Sequence, residues 1–287
     1  MKKLLSMLLL LMLLVGCANA TVQVSNPKET VIIVGDSEFS KATVFNLMKN
    51  QDPASVIVEI AKQKITNKEM PIDANIRKAA DEELESIKEI FGESFDSTLS
   101  MYGFESEADY IEKALLPNIQ QEALAKQFIR ENDELIVITY DPKQVRIAEF
   151  ANEEKATAAI QALQAGESFE DVVDELSSSV IYQGELQLIH NESSAPASVK
   201  QFIAQATVPT LSSLPLESDG DEKAYVVQVV EVNTTRFFDD IVEALSPLSS
   251  VSEMMFVNYF KEGNFNVYDK LIHDALKENY SEYLPNR

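Results

Sequence analysis

The sequence predicts an α+β protein, and three observations carry that expectation. Helical periodicity runs through most of the chain before Val145 and all of it after Val232. The block Val145–Val232 between them alternates strand and helix patterns around Ala156-x-x-Ala159-Ile160-x-x-Leu163-x-x-Gly166-Glu167-x-Phe169. The last strand of that block, Ala224 to Val232, is almost wholly apolar, as a strand central to a small sheet must be.

Composition narrows the classes of function. With 287 residues the chain is long enough for one large or two modest domains. A share of 45% hydrophobic and 25% charged residues is ordinary for a folded, soluble chain. There are 24 Lys and Arg against 47 Asp and Glu, a net charge of −23. That excludes the basic footprint of a nucleic-acid binder. It reads either as a solvated surface or as a preference for basic or unfolded clients. Two His and one Cys make no zinc cluster, and 8 Gly make no phosphate loop, so neither metal nor cofactor is expected. Carboxylate runs such as Asp81-Glu82-Glu83 sit on the polar side of a helical pattern and read as solvated faces.

The N-terminus reads as an address. Lys2-Lys3 precedes a 12-residue apolar run, Leu4 to Val15, which is too short for a span of about 20 residues. The run ends in Leu14-Val15-Gly16-Cys17, which resembles the lipobox of bacterial lipoproteins. Residues 1–16 are then a signal peptide, Cys17 is the acylated new N-terminus, and 17–28 is a polar tether. The resemblance implies attachment to the outer face of a cell membrane. A chain with its one Cys lipidated has no disulfide, which suits a Gram-positive envelope.

Next comes a helical region, 29–143. Val31 to Asp36 is a short apolar run closed by a turn, and Ser37 or Ser40 caps a helix through Met48. Asp52-Pro53 starts another helix. Ile72, Ile76, Ala80, Leu84, Ile87 and Phe91 form a seam at spacings of four and three, ended at Gly92. Phe95, Leu99 and Tyr102 form a short helix ended by Gly103. Ser106 opens a helix that Pro117 is expected to kink or break. Asp133 to Tyr140 fits strand by its β-branched residues and helix by its position.

The middle block, 144–233, reads strand (Gln144–Phe150), helix (Asn152–Leu163), helix (to Leu176), strand (Gly184–Ile189), helix (Ser198–Ala206) and strand (Ala224–Val232). The remainder, 234–287, reads as helices at Asp239–Leu245 and Ser252–Lys261. A strand at 264–268 and a last helix follow.

Two resemblances follow from these residues. Phe91-Gly92-Glu93-Ser94-Phe95, Leu99, Tyr102-Gly103-Phe104 and Asp109-Tyr110 resemble the "FG-x-x-F-x-x-x-L-x-x-x-G" signature of extracytoplasmic foldases of the SurA and PrsA type. The lipobox favours the PrsA type. The middle block, by its element order and its "A-x-x-A-x-x-x-L-x-x-G-E-x-F" pattern, is similar to a parvulin domain of the peptidyl-prolyl isomerase class. Asn264 to Leu276 resembles the terminal strand and helix with which PrsA-type foldases pack back on their N-terminal region. The resemblance implies a helical chaperone domain formed by both chain ends, with the parvulin-like small-sheet domain inserted in it. It also implies unfolded or newly secreted polypeptides as partners.

The same resemblance locates a pocket. Prolyl isomerisation has a barrier of about 18–20 kcal/mol. The family lowers it with two histidines facing a polar residue, and with Met and Phe on the prolyl ring. Here Arg146 or Ile147 stands at the first His position and Val226 at the second. Val199 lies where the ring-packing segment is expected, in Ala195-Pro196-Ala197-Ser198-Val199. No catalytic residue is therefore assigned. His190, after the second strand, is the candidate substitute; the competing reading is a solvated turn histidine. His273 lies outside the block and reads as a surface residue. Met48, Met101, Met254 and Met255 offer either an adaptable binding surface or core packing.

Overall fold

The structure, a computed structural model, describes residues 24–34, 37–177, 179, 181–218, 220, 222–263 and 265–285. The expected signal peptide, Cys17 and most of the expected tether lie outside the described residues, as do the turn Gly35-Asp36 and Asn264. The chain forms two compact units. One joins the residues up to Leu124 with those from Ser252 onward; the other is Ala125–Val251.

The first unit opens with an antiparallel ribbon of β1 (Thr30–Val34) and β2 (Ser37–Ser40), in which Ile32 opposes Phe39. The second strand was not foreseen. Ser40 then caps α1 (Lys41–Lys49), its hydroxyl accepting from the Thr43 amide at 3.2 Å. Asp52 and Pro53 start α2 (Pro53–Glu69). Asp73 caps α3 (Ala74–Phe91), accepting from the Asn75 and Ile76 amides at 2.9 Å. The predicted seam of α3 is real at its centre. Ile76, Ala80 and Leu84 are buried against Phe95 and Leu99 of α4 (Phe95–Met101) and against Leu115 and Leu116. Its two ends, Ile72 and Phe91, are exposed. Gly92 at φ +51 turns the chain out of α3 into this packing.

Ser106 caps α5 (Glu107–Tyr110), and the helix runs through a π-helical turn, Ile111–Leu115, into α6 (Leu116–Glu131). The break expected at Pro117 does not occur. Proline lacks the amide for the bond four residues back, and its ring crowds that carbonyl. The chain relieves this by widening the turn just upstream, so the helix continues.

α12 (Ser249–Glu262) and α13 (Lys270–Asn279) complete the unit; α11 is described below. The strand expected at 264–268 is absent among the described residues there. The Phe265 amide bonds back to the Phe260 carbonyl at 3.2 Å, and the two rings meet at 4.8 Å. That amide is no longer offered to a ladder. Asp269 caps α13 through the Leu271 and Ile272 amides and takes the Lys49 ammonium at 2.6 Å. Lys49 is 8% exposed and Asp269 1%. Losing either charge of such a pair costs about 3–5 kcal/mol, because the other stays buried. The pair therefore ties α1 to the start of α13, across 220 residues of chain. Tyr283 packs on Phe260 at 4.6 Å, with the Lys62 ammonium 5.3 Å from its ring. Burial, then nearby carboxylates such as Glu253, push its phenol up to about 12.

The second unit is wider than the expected 144–233. It takes in the end of α6, then α7 (Asp133–Tyr140), and α11 (Phe238–Leu245). Ion pairs Lys126–Glu243 at 2.6 Å and Arg130–Asp239 at 2.8 Å join α6 to α11. The Tyr140 hydroxyl donates to Ser250, which donates to Glu192. Asp133–Tyr140 is thus helix, with Asp133 and Glu134 favourably placed in its first turn.

The sheet holds β3 (Lys143–Phe150), β4 (Gln183–Ile189), β7 (Ala224–Glu231) and two short strands the sequence did not reveal, β5 (Thr210–Leu211) and β6 (Leu216–Glu217). The order is β4-β3-β7-β5, with β6 also on β7. The near-continuous apolar run of β7 is explained by that inner position. One face, with Ala148, Phe150, Ala224 and Val226, is covered by α8 (Glu153–Gln164) and α9 (Phe169–Leu176). The other, with Val145, Ile147, Tyr225, Val227 and Val229, is covered by α10 (Ala197–Gln205).

Gly184 is where β4 meets the first of these layers. Its φ is +80, and a Cβ there would lie 2.6 Å from the Phe169 ring. Gly184→Ala combines a left-handed backbone with overpacking, so it is expected to destabilise the protein by about 2–4 kcal/mol. Denaturant unfolding checks this; a loss below about 0.5 kcal/mol would contradict the packing described.

Candidate functional site

Of the two alternatives for the first pocket position, Arg146 falls on the face of Val226 and Ile147 on the opposite face of the sheet. Ile147 opposes Val227 across β3 and β7, and Ala148 opposes Val226. Side chains alternate along a strand, so Ile147 points toward α10 and Val226 toward α8 and α9. Val199, on α10, shares the face of Ile147. Arg146 shares the face of Val226, but its guanidinium is engaged: it donates to the Gly184 carbonyl at 2.8 Å and pairs with Glu170 at 3.3 Å. Ile147, Val199 and Val226 are each 0% exposed. A prolyl ring has no space at these positions.

What lies beside Ile147 on its own face is a polar cluster that the sequence reading passed over. Glu149 opposes Tyr225 in the β3–β7 ladder. Its carboxylate accepts from the Tyr225 hydroxyl at 3.1 Å and pairs with Lys223 at 3.0 Å. The Ser177 hydroxyl donates to the Glu149 carbonyl at 2.7 Å. Tyr182 meets Tyr225 edge-on at 5.8 Å. Burial, with Glu149 next to them, pushes both phenols up, so they stay neutral donors. Each polar atom is answered by another, which makes the cluster a support for the sheet rather than a proton-transfer site. The available signal was a lone carboxylate, Glu149, in the apolar run Ile147–Phe150.

His190 is not brought to this region. Ile189 opposes Lys143 at the start of β3, so His190, one residue further, stands about 16 Å along the strand from Ile147. It is half-buried rather than solvated. Its ring meets Tyr140 edge-on at 6.0 Å, and its Nδ1 accepts from the Glu192 amide at 3.3 Å. The small space beside it, about 20 Å³, is lined by Asp141, Lys200 and Ile203 among others and is too small for a ligand. Of the four methionines singled out, Met255 packs fully inside, Met254 is half-buried, and Met48 and Met101 are exposed.

The first unit carries an exposed apolar run. Val31, Ile32 and Ile33 are consecutive and exposed, at 48%, 46% and 66%. Phe39, Leu47 and Met48 nearby in the chain are exposed as well. Among the described residues the ribbon β1–β2 pairs with no further strand. Open edges with apolar side chains are ready to add an extended segment.

His190 also sets a pH response. Burial lowers its pKa below the usual 6.5, so the unfolded chain takes up the proton more readily than the folded one. Its contribution is intact above about pH 6.5 and is lost as the pH falls below that value. His190→Gln is expected to flatten the fall in stability between pH 7.5 and 5.5. Equal pH dependence of both proteins in thermal melts would refute this.

Comparison with known proteins places the chain. No protein-family model matches it. Foldase protein PrsA 2 of Bacillus cereus is 22% identical over 229 residues, covering 77% of this chain and 75% of that protein. The crystal structure of a peptidylprolyl isomerase (PrsA) from Bacillus cereus aligns with a TM-score of 0.46 at 17% identity, over 88% of this chain and 98% of the other. That of foldase protein PrsA from Streptococcus pneumoniae gives 0.46 at 16% identity, over 89% and 100%. The α+β chain is similar to the PrsA-type foldases.

Proposed function

We propose that the protein is an extracytoplasmic chaperone of the foldase class, held at the cell membrane by a lipidated Cys17, that assists newly secreted polypeptides without isomerising their prolyl bonds. The observation that carries the reading is a contrast of surfaces. The positions where the foldase relatives would hold a prolyl ring are filled by Ile147, Val199 and Val226, while the first unit presents Val31, Ile32 and Ile33 to solvent. Loose apolar contact suits clients that must be released to fold. A net charge of −23 keeps the carrier itself soluble and favours basic clients. The sheet unit, in this reading, extends the binding surface.

Light scattering of a chemically unfolded client tests the proposal. Stoichiometric protein is expected to suppress aggregation, and Ile32→Lys combined with Ile33→Lys to lose at least half of that effect. Absence of suppression by the unaltered protein would sink the chaperone reading. Full suppression by the double variant would remove the ribbon from it.

A further inference from the structure

We infer that a cavity beside α13 binds a carboxylate carried on an apolar chain. The cavity has a volume of about 330 Å³, within the range of small-ligand sites. Phe265 and Val267, ahead of α13, wall it on one side, and Leu284 and Pro285, after it, supply further apolar wall. Between them stand His273 and Lys277, four residues apart and hence on one face of the helix, followed by Ser281.

Charge decides what this cavity would take. Among the described residues no Asp or Glu lines it, in a chain where acidic residues outnumber basic ones 47 to 24. Other cavities do hold carboxylates: one is lined by Glu59 and Glu112 together with Lys62 and Lys113, another by Glu153, Glu217 and Glu222 with Lys223. Lys277 has no ion pair or hydrogen bond among the described residues. Asp274 lies 3.6 Å from His273 Nδ1 and is already held by Lys270. An ammonium with no partner beside apolar walls favours an anion whose remaining atoms are apolar. Two sources share that chemistry: the C-terminal carboxylate of a polypeptide ending in apolar residues, and a fatty acid. The inference is independent of the chaperone reading.

Isothermal titration calorimetry of the full chain tests it with three probes. These are a pentapeptide ending in Leu-Val with a free carboxylate, the same peptide as its C-terminal amide, and decanoate. The acid peptide is expected to bind at least tenfold more tightly than the amide. Lys277→Glu, a change at an exposed position, is expected to weaken it at least tenfold with an unchanged thermal melt. Decanoate binding that Lys277→Glu abolishes, without peptide binding, would assign the site to the fatty acid and still support the inference. Equal binding of acid and amide peptides would overturn it. So would binding of neither peptide nor decanoate, or binding that Lys277→Glu leaves untouched.

Discussion

The β3–β7 pairing is the constraint on which the second unit depends. Both strands are interior, and helices cover both faces. Strand alternation then sends most successive residues into one core or the other, leaving Gln144, Arg146, Gln228 and the end of β7 partly exposed. Ile147 and Val227 serve the α10 side; Ala148 and Val226 serve the α8 and α9 side. A polar side chain survives in this arrangement only when it is fully answered. Glu149 does so through Tyr225 and Lys223.

The first unit is arranged on the opposite principle. Its interior is a narrow seam, Ile76, Ala80, Leu84, Phe95 and Leu99, closed by Leu115 and Leu116. The buried Lys49–Asp269 pair links the two ends of the chain inside the unit. That leaves many apolar side chains of the ribbon and of α1 outside the core. Large exposed apolar areas are uncommon on monomers that bind nothing. The second unit fills both faces of its sheet, although it too leaves Ile138, Ile181, Val208 and Leu214 exposed.

Much of this was legible in the residues. The caps Ser40, Asp52 and Ser106 were visible because a short polar side chain ahead of an apolar period has a single good use there. The inner position of β7 followed from its unbroken apolar run. Illegible features depended on distant partners. Pro117 looked like a break, yet the π turn upstream accommodates it. The alternation at 264–268 looked like a strand, but Phe265 found its partner in Phe260. β5 and β6, at two residues each, leave no periodic trace. Motif spacing also left Arg146 and Ile147 open as the partner position of Val226, and only the register across β3 and β7 shows that Arg146 shares its face.

The central claim is that the sheet unit has exchanged a reactive pocket for a core. Its most direct test is the cis-to-trans rate of a proline-containing tetrapeptide with micromolar amounts of the purified chain. The account predicts a rate indistinguishable from the uncatalysed one. Turnover above that rate, lost on His190→Ala, would contradict it and would move the active site to the β4 end of the sheet.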